Sequence, residues 1–462
     1  MTRKEFDSLG GMELPDDAYY GVQTQRALIN FPVSGIREPP EFVRVYVMIK
    51  KAAALINMRL GELDSKRGDA IIFAADEVLD GKYLDQFVVD VHQAGAGTSF
   101  NMNVNEVLAN IALERLGHRK GDYAFLHPND HVNMAQSTND TFPTATHLAI
   151  VDRSDLLSMA LRELAEAFES KAMEFGKTYK SGRTHLMDAL PVTLGEEFHA
   201  YASAVRRAEL RLRERRDELL ELAIGGTAVG TGANAKPLYR TAIIELLSEM
   251  TGLKLMPAQD SFEVTQSRSQ IVAYSSALKG LAVELIRVCN DLRLLNSGPT
   301  TGLSEIVLPA VQPGSSIMPG KVNPVMAECL DMICFQIIGN DTAVMLAGQA
   351  GQLELNVMEP LMTYNVLSSI SMLNNFLPVF VSRCVKGIMA NEDRCRHYLD
   401  RNPILATLLD HKIGYMEAAK LAEESIRTGE PIPKLAVRKG LISEEEARTI
   451  FDITKMSVVN DH

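Results

Sequence analysis

Four short segments of this chain gather small polar side chains of the kind that bind and activate a small acid. The densest is Gln312-Pro313-Gly314-Ser315-Ser316-Ile317-Met318-Pro319-Gly320-Lys321-Val322-Asn323-Pro324. Two glycines and three prolines predict a loop that moves between a few defined shapes. Ser315, Ser316, Lys321 and Asn323 add hydroxyl and amide donors and one cation, which is what a small carboxylate needs around it. A phosphate loop is excluded, because five residues separate Gly314 from Gly320 and Val322 follows the lysine where a Ser or Thr is required.

The other segments are Gly95-Ala96-Gly97-Thr98-Ser99-Phe100-Asn101-Met102-Asn103, Gln136-Ser137-Thr138-Asn139-Asp140 and Gly182-Arg183-Thr184-His185. The first is no dinucleotide fingerprint, since Phe100 occupies the place of the third glycine. Taken singly, each has a plain structural reading. The Ser-Thr-Asn-Asp run is what a helix cap uses. A single histidine is notable only for titrating near neutrality. Together they form a set of donors able to bind a small dicarboxylate and to hold a reactive oxygen beside it.

Long helices must position these segments. One apolar stripe runs through Leu157, Leu161, Leu164, Phe168, Ala172 and Phe175, with Ser154-Asp155 as its expected N-cap and Gly176 as its stop. A second runs through Phe198, Tyr201, Val205, Ala208, Leu212, Leu219 and Leu222. Ile271, Tyr274, Leu278, Leu281, Leu285, Val288, Leu292 and Leu295 repeat at alternating spacings of three and four, a heptad seam. Such a helix is roughly 37 Å long at 1.5 Å per residue. Further helical patterns follow at about 325–347 and 361–390, sustained strand alternation is nearly absent, and glycine and proline mark loops near 94–98, 225–237 and 298–324. The expectation is an all-α fold with a central long-helix bundle and a small C-terminal domain in the last seventy residues.

With 462 residues the chain has length for about three domains. Its net charge of −12 argues against a nucleic-acid or anionic-membrane partner. The start has two basic residues with no apolar run after them, so no secretory signal is expected. The most membrane-like stretch, around Val45 to Met58, is split by Lys50 and Lys51 and too short to span a bilayer. A cytoplasmic protein is the reading. Five cysteines, without a CxxC pair, predict buried free thiols rather than disulfides or zinc, and the histidines lack metal-site spacing. No metal ligand set is expected.

These same segments resemble the superfamily of fumarases, aspartases and argininosuccinate lyases. GSSIMPGKVNP is its signature loop. DAYYGVQTQRA ending at Ala27, GAGTSFNMNVNE at 95–106, HPNDHVNMAQSTND at 127–140, SGRTHL at 181–186, GGTAVGTGAN at 225–234 and GQLELNVMEP at 351–360 extend the likeness over nearly the whole chain. The opening DDAYYGVQTQRALINFPVSG, the QSTND form of the serine motif and Met358-Glu359 are nearer to aspartases than to fumarases.

The resemblance implies an N-terminal domain over 1–139, a central helical domain over 140–393 and a C-terminal domain over 394–462. It implies a homotetramer with a twenty-helix core, to which the heptad seam is suited, and active sites built from three subunits. It implies, without a cofactor, the reversible deamination of L-aspartate to fumarate and ammonia. Ser315 would take the proton from C3, giving an aci-carboxylate intermediate. Thr98, Ser137, Thr138 and Ser316 would hold the carboxylate on which charge builds. Thr184, Lys321 and Asn323 would hold the other carboxylate, and Asn139 and His185 would face the amino group. Met187, in place of a usual Gln, would alter the pocket wall. A fumarase of class II, a lyase acting on another fumarate adduct, and a catalytically silent helical assembly like the lens crystallins of this superfamily are the alternatives.

Overall fold

The computed structural model describes residues 2–455. Helices dominate, and the strands among the described residues form four two-stranded sheets. The chain divides into two compact units. One comprises the chain up to Ser158 with Leu210–Ala282 and Phe335–Asn374; the other comprises Met159–Glu209, Val283–Cys334 and the chain from Asn375.

In the first unit an antiparallel hairpin, β1 (Thr2–Asp7) and β2 (Gly10–Pro15), precedes α1 (Val22–Asn30), α2 (Pro40–Arg59), α3 (Ser65–Leu79) and α4 (Thr98–Arg115). The sequence reading did not foresee this hairpin. Helix α4 is buried almost all round, so the polar residues it carries need partners. Glu106 finds them at the start of α1: its carboxylate accepts the backbone N–H groups of Gly21, Gln23 and Thr24 and the Thr24 hydroxyl. An acid on one helix thus caps another whose own N-cap, Gly21, has no side chain to offer. Phe42, Tyr46, Phe100 and Phe142 pack with ring centroids 5.2–6.4 Å apart, an aromatic core joining α2 to the helices around it.

Helix α5 (Thr138–Glu174) is 37 residues long and starts sixteen residues before the expected cap. Ser154 lies inside it: its hydroxyl donates back to the Ile150 carbonyl at 2.5 Å and accepts from the Tyr274 hydroxyl at 2.6 Å. The Ser-Asp pair reads as a cap because such hydroxyls compete for backbone groups, and here the competition is settled inside the helix. The expected stop is close, the helix ending at Glu174.

After β3 (Tyr179–Thr184), β4 (Met187–Thr193), α6 (Leu194–Glu218), α7 (Tyr239–Thr251) and α8 (Ser261–Gln266) comes the heptad helix, α9 (Ser269–Leu295). All eight seam residues are buried, at 0–6% exposure. The seam is therefore filled within a single chain. Helices α10 (Val325–Gln349) and α11 (Glu359–Arg383) follow; α11 ends at Arg383, short of the expected 390, and Met389–Ala390 instead pairs with Ile306–Val307. Helix α10, not the stretch near Val45, is the one among the described residues long and apolar enough to cross a membrane by length and composition. It is apolar on two sides. Leu330, Cys334, Ile337, Val344 and Ala347 are buried, while Met332, Phe335, Met345 and Leu346 are exposed along with Gly339 and Thr342.

The C-terminal part of the second unit is made of short helices, with its own apolar cluster of Leu399, Leu405, Leu409, Leu421, Ile432 and Leu435. All five cysteines are free thiols; four are buried and Cys329 is partly exposed.

Candidate active site

In the first unit, Gly95–Gly97 forms a tight turn that delivers Thr98 to the first position of α4. Gly97 has φ +82°, and a Cβ there would lie 2.1 Å from the Phe142 ring. No other residue fits between this turn and α5. Thr98 is exposed at the helix start, where backbone N–H groups lack helical acceptors.

Ser137, Thr138 and Asn139 open α5. The Ser137 N–H donates to Asp140 Oδ1 at 2.9 Å, and the Asn139 N–H to Ser137 Oγ at 3.2 Å. Asp140 Oδ2 accepts from the Gly225 and Thr227 N–H groups at 3.0 and 2.9 Å, and Asn139 Nδ2 donates to the Ala228 carbonyl at 2.7 Å. The glycine-rich 225–234 segment is thereby pinned against the start of α5. With both carboxylate oxygens taken by N–H donors, Asp140 is a structural anchor rather than a spare acid.

Lys50, wholly buried, ties these pieces together from below. Its Nζ donates to Asn101 Oδ1, Asn133 Oδ1 and Gln136 Oε1 at 2.8–2.9 Å, joining α4, the 127–133 segment and the residue before Ser137. Burial pulls the Lys50 pKa down to about 7, against the nearby Asp140 charge. Burial also pushes Asp140 up to about 7, opposed by its backbone hydrogen bonds and by Lys50. The partners decide the forms: three amide oxygens around Nζ suit an ammonium, and three N–H groups on Asp140 suit a carboxylate.

In the second unit, β3 and β4 present Thr184 and His185 at a hairpin turn. His185 and Leu186 occupy the turn with φ +54° and +59°, left-handed backbone that costs a non-glycine residue roughly 1–2 kcal/mol each. Anchors at its base hold this turn. Arg183 makes a two-pronged bond to Glu305 at 2.8 and 2.9 Å; buried Lys180 reaches the same carboxylate at 2.9 Å and Glu197 at 2.7 Å. Asn402 donates to Ser181 Oγ and to the Ala189 carbonyl. Thr184, His185 and Met187 are exposed.

The 312–324 loop is pinched at its neck. The Gly314 N–H donates to the Lys321 carbonyl at 2.9 Å, and Asn323 Nδ2 to the Gly314 carbonyl at 2.6 Å. A Cβ on Gly314 would sit 2.4 Å from the Lys321 oxygen. Inside the pinch, Ser315 Oγ accepts the backbone N–H groups of Ile317 and Met318 at 3.2 and 3.0 Å. Two aligned amides lower the cost of negative charge on that oxygen. Ser316 and Lys321 are exposed, as are the apolar Ile317, Met318 and Val322.

The first unit thus brings the Thr98 and Ser137-Thr138-Asn139 segments onto one buried polar framework. The second holds the Thr184-His185 turn and the Ser315–Asn323 loop each on its own bonds. The sequence reading missed the charges that do the holding: Lys50, Asp140, Arg183, Glu305, and the buried pair Arg268 and Glu359. Lys50 alone carried a signal, a charge set in an otherwise apolar run; Asp140 and Arg183 were indistinguishable from the polar clusters around them.

A helical lyase is the class of protein these features define. A family model described as lyase matches residues 10–339, and one described as fumarase C C-terminus matches residues 405–457. The chain belongs to this lyase family, the superfamily of fumarases and aspartases. An aspartate ammonia-lyase from a Bacillus species is 48% identical over 99% of this chain and 97% of its own length. That of Escherichia coli K12 is 46% identical over 98% and 96%. Among solved structures, a Brucella melitensis protein described as fumarate lyase:delta crystallin bound to cobalt superposes with a TM-score of 0.96, at 46% identity over 99% of this chain and 100% of that one. A class II fumarase from Schistosoma mansoni gives 0.94 at 37% identity over 99% of both chains.

Proposed function

We propose that this protein is an aspartate ammonia-lyase, a carbon–nitrogen lyase that converts L-aspartate reversibly to fumarate and ammonia without a cofactor. The observation that carries the reading is end-to-end likeness to aspartate ammonia-lyases at 46–48% identity, against 37% for the fumarase structure.

Ser315 is the base. The C3 proton of aspartate passes to its oxygen, and the electron pair moves into the adjacent carboxylate to give the aci-carboxylate dianion. That pair then returns to form the C2–C3 double bond as the C2–N bond breaks, and nitrogen leaves with its bonding electrons as ammonia. A serine hydroxyl is a poor base unless its alkoxide is stabilised, and the amides of Ile317 and Met318 supply that stabilisation. Thr98, Ser137, Thr138 and Ser316 bind the carboxylate that gains charge, and Thr184, Lys321 and Asn323 bind the other. Asn139, whose Nδ2 is committed to Ala228, keeps Oδ1 to accept from the amino group beside His185. The exposed Ile317, Met318 and Val322 support a loop that closes over substrate.

The working form is a homotetramer in the cytoplasm, with sites shared between subunits and no nucleic-acid or membrane partner. The bare stripe on α10, Met332, Phe335, Gly339, Thr342 and Leu346, repeats every three or four residues and supports helix packing against another copy. Sedimentation should give four times 50.9 kDa. A fully active monomer would refute the shared site. The test of the reaction is fumarate consumption with and without ammonia: consumption that depends on ammonia is expected, and ammonia-independent hydration would point to a fumarase.

A further inference from the structure

Pro143 lies inside helix α5, four residues after Asn139. In an α-helix the N–H of residue i bonds the carbonyl of residue i−4, and proline has no N–H. The Asn139 carbonyl therefore loses its regular helical donor, at the turn where Ser137, Thr138 and Asn139 must hold their positions. Pro143 is itself buried, so water is a poor substitute.

Arg268 Nη2 donates to that carbonyl at 3.2 Å. Arg268 is wholly buried, where a charge is costly unless it is paired and hydrogen-bonded. Its backbone is in the left-handed region, φ +56°, which an arginine adopts only at a cost. Its other terminal nitrogen donates to the Val264 carbonyl one turn back. Glu359, also wholly buried at the first position of α11, pairs with Nη2 at 3.3 Å. Neither side-chain oxygen of Glu359 has a hydrogen bond among the described residues, so its charge answers chiefly to the guanidinium. A strained backbone, a buried cation and a buried anion thus converge on one orphaned carbonyl.

We propose that Arg268, held in place by Glu359, is a positioning residue that replaces the hydrogen bond removed by Pro143 and so fixes Asn139 toward the amino group of the substrate. This rests on the reading of Asn139 given above. The inference separates the amino group from the rest of the ligand, because Asn139 is assigned to that group alone.

The experiment replaces the pair by apolar residues, Arg268→Met with Glu359→Met, so that no lone charge stays buried. Then kcat/KM for L-aspartate should fall about 10- to 100-fold, the size of one bond to a charged group. Inhibition by succinate, which has no amino group, should change less than about twofold. Adding Pro143→Ala, which returns an N–H to position 143, should recover most of the loss. Backbone amide exchange over residues 138–143 should quicken in the double variant and slow again in the triple. The proposal is overturned if the double variant keeps its activity on L-aspartate, if it loses L-aspartate and succinate equally, or if Pro143→Ala restores nothing. Should the double variant fail to fold, a folded triple variant supports the proposal, and failure of both overturns it. Wild-type enzyme inert toward L-aspartate would instead refute the proposed function, leaving the exchange rates to judge the clamp.

Discussion

Asn139 and Ser315 are assigned to the same reaction, yet their surroundings are opposites. Asn139 starts a helix whose base is fastened by Lys50, Asp140 and Arg268, all buried, and by hydrogen bonds to the 225–228 backbone. Ser315 sits in a loop held by its own neck, with Ile317 83% exposed beside it. Donors that stabilise a developing carboxylate charge act best when they need not reorganise, which rewards a rigid frame. A base that must admit substrate and then exclude water gains from a segment that moves. The buried charges are concentrated where rigidity is useful, and the exposed apolar side chains where closure is.

Breaking the mobile side should have the largest effect. Ser315→Ala should lower turnover by about 10²–10⁴ while leaving the melting temperature and assembly unchanged, because among the described residues its hydroxyl bonds two amides of its own loop and nothing beyond it. Turnover near the wild-type value would remove Ser315 as the base. On the rigid side, Ser137→Ala should cost roughly 10²–10³ in kcat, as loss of one preorganised donor does. Lys321→Ala should weaken dicarboxylate binding as well as turnover, since it removes the one cation of the loop.

Proteolysis sharpens the contrast without touching chemistry. A protease of broad specificity such as proteinase K should cut first in the exposed 316–322 stretch, and saturating fumarate should protect it, whereas the 136–140 turn should stay intact in both conditions. Early cleavage on either side of Ser137 would contradict the rigid frame.

The smallest effect concerns the loops leading to Thr98. Glu38 is buried beside Asp90 and its carboxyl has no hydrogen-bond partner among the described residues. Burial, with the Asp90 charge adding to it, pushes its pKa up to about 8. A folded-state pKa above the unfolded one gives stability that is full below the unfolded value and lost as pH rises through the folded one. The melting temperature of wild type should therefore decline relative to Glu38→Gln between about pH 5 and about pH 9. Parallel curves would show that Glu38 does not titrate in this window.

The long helices were legible because their cores repeat locally: every seam residue from Ile271 to Leu295 is buried as its spacing required. The start of α5 was not, since Ser154-Asp155 carries a cap signal that tertiary contact with Tyr274 overrides. The candidate donors were legible as clusters. What holds them was not, because Arg268 meets Glu359 and Lys50 meets Gln136 only after folding joins distant parts of the chain. The heptad seam is consumed within one chain, and the face left for another copy is on α10.

The central claim is that the leaving group is ammonia. Asn139 offers an acceptor for an amine, while Asp140, the one acid within these clusters, has both oxygens occupied by N–H donors and none free to protonate a departing hydroxide. Equal concentrations of L-aspartate and L-malate, followed by the absorbance of fumarate, test this directly. The account predicts that fumarate forms from L-aspartate and that L-malate is a poor substrate; faster dehydration of malate than deamination of aspartate would contradict it.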